Sequence, residues 1–252
     1  MEKPSFKVLG VRVDAVQIPD VIAQMEHWIA ERERSHFIAV TGMHGVTEAH
    51  HRSSFRAVLE EADLVVADGM PLVWLGRWHG FPMRRRVYGP DLMAAFCALT
   101  ANRYRHFFYG GVPGLAEQLG GKLAEQCGIQ VAGSYSPPFR ALTGEEALEL
   151  SGLINATAAD VVWVGLSTPK QEYWMWRFRP LLNVPVLVGV GAAYDFLSGR
   201  VKQAPRYVRD HGFEWLYRLL TEPRRLWRRY LINGPEFALK AALEAAGVKK
   251  FT

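Results

Sequence analysis

At 252 residues, 49% apolar and 22% charged, the chain fits one large α/β domain or two small ones, and its composition excludes a disordered or fibrous protein. A net charge of +5 favours an anionic partner, while two cysteines, Cys97 and Cys127, are too few for a disulfide framework and lack metal-ligand spacing. The N-terminal stretch has no apolar signal core, and no run approaches the roughly 20 residues of a membrane span, so the expected setting is the cytosol or one face of a membrane.

In chain order, Phe6–Val13 alternates as a strand, and Val16–Arg32 has helical periodicity with Val21, Ile22, Met25, Trp28 and Ile29 on one side. Phe37–Val40 is a second strand, ending in Thr41-Gly42-Met43-His44-Gly45 before a helix. After a helix at Phe55–Glu61, Leu64–Ala67 is a third strand ending in Asp68-Gly69. Pro71–Gly80 is helical. A basic loop, Arg84-Arg85-Arg86, leads through Tyr88–Asp91 into a helix reaching Leu99. His106–Tyr109 is a strand feeding Gly110–Gly114 and a helix over Leu115–Gln126. A strand at Ile129–Ala132, a Pro-bearing loop over Ser134–Thr143 and a helix at Glu145–Thr157 follow. Val161–Val164 is apolar on both faces, as a central parallel strand is. Val186–Val190 is a last strand, ending near Gly191 and Asp195. The alternation predicts a Rossmann-like, mostly parallel sheet with helices on both faces over residues 1–199.

A parallel sheet gathers its strand ends on one rim, where ligands of open α/β sheets bind. Asp68 at such an end is either a general base for a substrate hydroxyl or the cap of the following helix. Gly110–Gly114 is either a tight turn or a backbone cradle approaching a phosphate, without a full dinucleotide or P-loop fingerprint. The Arg84–Arg86 loop is either solvated or holds a diphosphate through one arginine. Lys170 and Gln171, after Pro169, either begin a helix or contact phosphate or sugar. No HExxH, DxD or clustered Cys/His spacing is present, so a nucleotide-sugar diphosphate would be met by arginine, lysine or helix dipoles.

Residues 200–252 form a basic appendage. Arginines interleave with Trp215, Leu216, Leu219, Leu220, Leu226, Trp227 and Tyr230, and Pro223 divides the segment. Helical spacing puts Arg218, Arg225 and Arg228 on one face. The composition suits a helix at an anionic lipid surface. A helix packed on the sheet is the plainer alternative; nucleic-acid binding is disfavoured by the lack of an accompanying motif.

Several pieces then match one family in order: ADG at Ala67–Gly69, R-V-x-G-x-D at Arg86–Asp91, FFYGGVPG, VGLSTPKQE, GVGAAYDFLSG and GFEWLYRLLTEPRRLWRRY. The set resembles the WecG/TagA/CpsF glycosyltransferases, from about Leu9 to Phe237. The resemblance implies an inverting, metal-independent transfer from a UDP-sugar to a polyprenyl-diphosphate-linked glycan. Such enzymes act at the cytoplasmic membrane face, in teichoic-acid, common-antigen or exopolysaccharide synthesis. It implies Asp68 as base, Arg86 and Gln171 as active-site residues, and Arg218, Arg225 and Arg228 as appendage arginines contacting diphosphate and membrane. Many members carry a T-x-N turn; here Thr41 takes the threonine role and His44 the asparagine role. Gly110, Gly111, Gly165, Lys170, Gln171 and Asp195 complete the expected nucleotide and substrate contacts. Self-association of the exposed appendage aromatics is a further expectation. The competing readings are an NAD-type oxidoreductase, disfavoured by the missing GxGxxG-plus-acid pattern, and a non-catalytic membrane-bound sugar-nucleotide sensor.

Overall fold

The computed structural model describes residues 4–251, with backbone alone at 206 and 210. The N-terminal residues 1–3, part of the stretch read for a signal core, lie outside the described residues. Eight strands form one sheet in the order β1-β2-β4-β3-β8-β7-β5-β6. They are β1 Ser5–Val8, β2 Val11–Asp14, β3 His36–Thr41, β4 Leu64–Ala67, β5 Arg105–Gly110, β6 Gln130–Tyr135, β7 Val161–Gly165 and β8 Val186–Gly189. All pairs are parallel except the β1–β2 hairpin.

Two sequence expectations change. Phe6–Val13 is two strands, because Leu9 and Gly10 both take positive φ (50° and 82°) and close a two-residue hairpin turn. The alternation carries through the turn and hides it. The loop expected from Ser134 begins later, since β6 continues through Tyr135.

Period-2 alternation builds the two layers of the core. In β7, Val161 and Trp163 face one buried cluster with Phe96, Phe108 and Leu119, while Val162 and Val164 face the other with Phe107, Met175 and Leu187. Every strand residue from Val161 to Val164 is fully buried, which explains the absence of any polar position. Trp163 donates its indole N–H to His106 Nδ1 at 2.9 Å, satisfying the polar atom that its burial would strand. Burial holds the His106 ring neutral, its pKa down at about 4.

Beyond Gly199 come short helices Arg206–Asp210, Glu214–Thr221 and Pro223–Trp227, a π turn over Arg228–Ile232, and the helix Asn233–Ala245. That last helix packs on the helix Met43–His51 and buries Phe237 and Ala241 in the same cluster as Val46 and Ala49. Glu244 accepts the Leu9 backbone N–H at 2.8 Å across the hairpin turn. No helix among the described residues is long and apolar enough to cross a membrane.

Candidate active site

The C-terminal ends of the parallel strands open into two cavities. The smaller, about 420 Å³, lies over the ends of β3 and β4 and is walled by Asp68, Arg86, His44, Arg218 and Arg229. The larger, about 720 Å³, lies over β5, β7 and β8 and is walled by Gly111, Gly165, Lys170, Asp195 and Arg225, with Tyr109, Tyr173 and Trp174.

Asp68 is placed by β4. Its backbone N–H donates to Thr41 at the end of β3 (2.8 Å), extending the β3–β4 pairing one step past the strand. The carboxylate does not cap the next helix. Gly69 is the N-cap of the helix Met70–Trp78, without a side-chain cap, and Asp68 Oδ1 instead accepts the Gly89 N–H at 3.3 Å. Burial pushes the carboxyl up to about 7; Arg86 opposes this, and Glu214 adds to it.

Arg86 donates to the Asp68 carbonyl at 3.3 Å, stacks over the Tyr88 ring at 3.9 Å, and is ion-paired with Glu214. Glu214 also accepts the Tyr88 hydroxyl at 2.7 Å. This buried acid opens the appendage helix Glu214–Thr221 and locks it onto the rim. Sequence reasoning did not single out Glu214, although it is a lone acid at the head of a basic, apolar helix. Arg229 was also missed. It is half-buried and walls the smaller cavity, whereas Arg228 is exposed and walls neither. Burial holds Arg229 below the usual guanidinium range.

His44 stands in the smaller cavity with its Nδ1 unpartnered. Burial, reinforced by Arg229 and Arg52, lowers it to about 4, so the imidazole is neutral near pH 7. The helices Met43–His51 and Met70–Trp78 both start on this cavity from glycine caps, Gly42 and Gly69. Two helix N-termini thus add partial positive charge to that of the arginines.

Thr41 and Gln171 are buried beneath the rim and wall neither cavity. A Cβ at Gly45 would lie 1.9 Å from Thr41 Oγ1 and 3.5 Å from the Thr168 methyl, so a glycine is needed there. Thr168 donates to Glu172 at 2.9 Å, and Gln171 Nε2 donates to the same carboxyl at 3.1 Å. Thr41, Thr168, Glu172 and Gln171 therefore form a buried polar layer under the strand ends. Glu172, raised by burial, had no role in the sequence reading. The glycines have packing reasons. Gly110 is buried against Gly165, whose carbonyl a Cβ would meet at 2.6 Å, and a Cβ at Gly165 would meet the Tyr194 ring at 2.3 Å. Gly111 donates its N–H to Gly165 at 3.2 Å, so that amide is already engaged.

Around the larger cavity, Lys170, Arg177, Arg200 and Arg225 face one acid, Asp195, beside aromatic rings. That combination suits an anion attached to a flat ring. Arg218 and Arg225 wall different cavities yet share Glu222, at 3.7 and 2.5 Å. Glu222 thus ties the two sites through one short segment. Among the described residues no three His, Cys, Asp or Glu side chains converge as metal ligands would.

A carboxyl poised near neutrality, ringed by cations at the end of a parallel sheet, coincides with a sequence match along the chain: the model of the WecG/TagA/CpsF glycosyltransferase family covers residues 6–250. The chain belongs to this family. It is a glycosyltransferase. Among curated proteins it is similar to an N-acetylglucosaminyldiphosphoundecaprenol N-acetyl-β-D-mannosaminyltransferase of Bacillus spizizenii. The two are 31% identical over 217 residues, which span 85% of this chain and 82% of the relative.

Proposed function

We propose that this glycosyltransferase moves an N-acetylmannosamine-type sugar from a UDP-sugar to a polyprenyl-diphosphate-linked N-acetylglucosamine, in a single inverting displacement without a metal ion. The observation that carries it is Asp68: a largely buried carboxyl, raised to about 7, in the wall of a cavity shared with Arg86, Arg218 and Arg229. The substrate class comes from the relative's name. An α-linked UDP donor and a β product require inversion at the anomeric carbon.

Asp68 accepts the proton of the acceptor hydroxyl as its oxygen bonds to the anomeric carbon. The bond from that carbon to the diphosphate oxygen breaks on the opposite face, and UDP departs with the electron pair. The larger cavity's aromatic rings and cations suit the uridine diphosphate. Arg86, Arg218 and Arg225 supply fixed positive charge where the leaving diphosphate gains negative charge. Neutral His44 offers a hydrogen bond to a sugar substituent without a competing charge, in the role that other members give to asparagine.

The appendage supports a location at the inner face of the cell membrane. Helix Glu214–Thr221 buries Glu214 and turns Arg218 and Trp215 towards the smaller cavity, while Leu216 and Leu220 are exposed. A helix with its charges inward and its apolar side outward suits a lipid surface.

The test is transfer to a short-chain prenyl-diphosphate N-acetylglucosamine, with a panel of UDP-sugars and chelator present. Asp68→Asn is expected to lower turnover by about 10²–10⁴-fold with UDP affinity by calorimetry unchanged. Near-normal turnover would remove Asp68 as the base, and a strict need for added magnesium or manganese would remove the metal-free displacement.

A further inference from the structure

The helix Met70–Trp78 leaves the smaller cavity with Met70 and Pro71 in its wall, then presents Trp74 and Trp78 to solvent, 51% and 72% exposed. Pro71, Trp74, Leu75 and Trp78 recur at i, i+3, i+4 and i+7, so they share one face. The opposite side, Leu72, Val73 and Gly76, is buried on the core. With its inner face packed on the core, the helix still turns two tryptophans outward, an apolar stripe of the kind that marks an interaction surface.

This stripe continues into the appendage. The Trp74 ring lies against Gly212, where an added Cβ would sit 3.4 Å from it. The next residues are exposed Phe213 and, on the following helix, Trp215, Leu216 and Leu220. Past Trp78 the chain reaches Arg84 and Arg85, exposed and without an ion pair among the described residues. Residues 70–86 contain no acid. Tryptophan prefers the headgroup level of a bilayer, and arginine is drawn to anionic lipid there.

We infer that the helix Met70–Trp78 is a second membrane-docking element, built into the catalytic core. Its Trp74–Trp78 face and the Arg84–Arg85 loop seat on an anionic bilayer beside the helix Glu214–Thr221. This rests on the membrane location proposed above and adds a rigid anchor that the appendage cannot supply. Met70 walls the cavity and Trp78 lies eight residues on, a rise of about 12 Å. The helix therefore fixes the height and tilt of the Asp68 cavity over the leaflet that holds the acceptor. Charge selects the occupant: a second copy of this face would set cations against cations, whereas anionic headgroups complement them.

The experiment is sedimentation of the full chain with phosphatidylglycerol–phosphatidylcholine vesicles. It compares wild type, Trp78→Ala, Trp74→Ala/Trp78→Ala, Arg84→Gln/Arg85→Gln and, on the appendage, Leu216→Ser/Leu220→Ser. The tryptophan pair is expected to lower vesicle partition about tenfold or more, and the arginine pair by about fivefold per charge at low salt, converging with wild type at high salt. Trp78→Ala touches an exposed position, so its melting temperature and UDP affinity stay unchanged. If the tryptophan variants bind vesicles as wild type does while the leucine variant does not, the inference is overturned and the appendage reading stands. If wild type fails to bind, both fall. If Trp78→Ala only dissolves a dimer and leaves vesicle binding intact, the face belongs to a second copy and the inference is again overturned.

Discussion

Asp68 shows how much one residue's environment decides. A carboxyl whose pKa rises from near 3.8 to about 7 must be ionised to act as a base, so transfer should climb with pH through about 7 and level above it. The same shift bears on stability. Between roughly pH 4 and 7 the unfolded chain releases this proton while the folded chain keeps it, so the group's contribution is largest below pH 4 and is lost as pH rises through 7. Asp68→Asn removes a buried charge at neutral pH. It should be more stable than wild type at pH 7.5, by about 2 kcal/mol after discounting for contact with cavity water, and so melt higher, and the two should converge near pH 4. Thermal melts at both pH values check this; a destabilised variant at pH 7.5 would mean that burial does not dominate at Asp68. Its position was legible, because an acid directly after Leu64–Ala67 must stand at a strand end. What the sequence left open was cap against base, since both need an acid before a helix; the Gly89 contact lies 21 residues away. Glu214 was illegible for the same reason: its partners Arg86 and Tyr88 are 128 and 126 residues distant.

At the scale of elements, the appendage departs most from its periodicity. A continuous helix would align Arg218 and Arg225 at i,i+7, but Glu222 takes φ −130° and ψ 54° and Pro223 opens a new helix, so the phase resets. The arginines consequently serve different cavities. Arg225→Gln should weaken UDP binding about tenfold, the loss of a charge-assisted hydrogen bond, whereas Arg218→Gln should leave UDP affinity near wild type and lower turnover. Calorimetry with UDP beside initial rates separates them, and equal effects on both measurements would mean that one site is shared. Glu214→Gln probes the latch itself. Glu214 raises the Asp68 pKa and offsets the pull of Arg86. Other charges facing Asp68 are Arg86, from the loop between the helices Met70–Trp78 and Gly89–Thr100, and Arg229 from the π turn, and both pull downward. Removing the Glu214 charge should therefore move the rising limb of the pH–rate profile to lower pH; an unmoved limb would mean that Glu214 only holds the helix in place. Proline gave notice of the break, but the buried side of each half could not be read, because apolar residues here face outwards and invert the usual rule.

For the whole molecule, the alternation of strands and helices made the parallel sheet legible, yet its order was not. β8 inserts between β3 and β7, and nothing local in Val186–Gly189 distinguishes that slot from an edge. The end of the chain matters in the same way. Read as composition, residues 200–252 are one basic appendage, and a chain stopped at Gly199 would be expected to keep a folded core. The contacts divide that segment by function. The middle, Phe213–Leu231, carries exposed apolar residues over the site, whereas the helix Asn233–Ala245 fills a place in the main core through Phe237 and Ala241. Removing a buried phenylalanine side chain typically costs about 3–5 kcal/mol. Phe237→Ala should lower unfolding free energy by about 3 kcal/mol while the folded fraction still binds vesicles. Leu216→Ser/Leu220→Ser should leave stability within about 0.5 kcal/mol and lose vesicle binding. Denaturant unfolding and sedimentation on the same two proteins give a crossed pattern if docking and folding occupy different parts of the segment. A Phe237→Ala protein with unchanged stability would detach the last helix from the core and restore a simple boundary at Gly199.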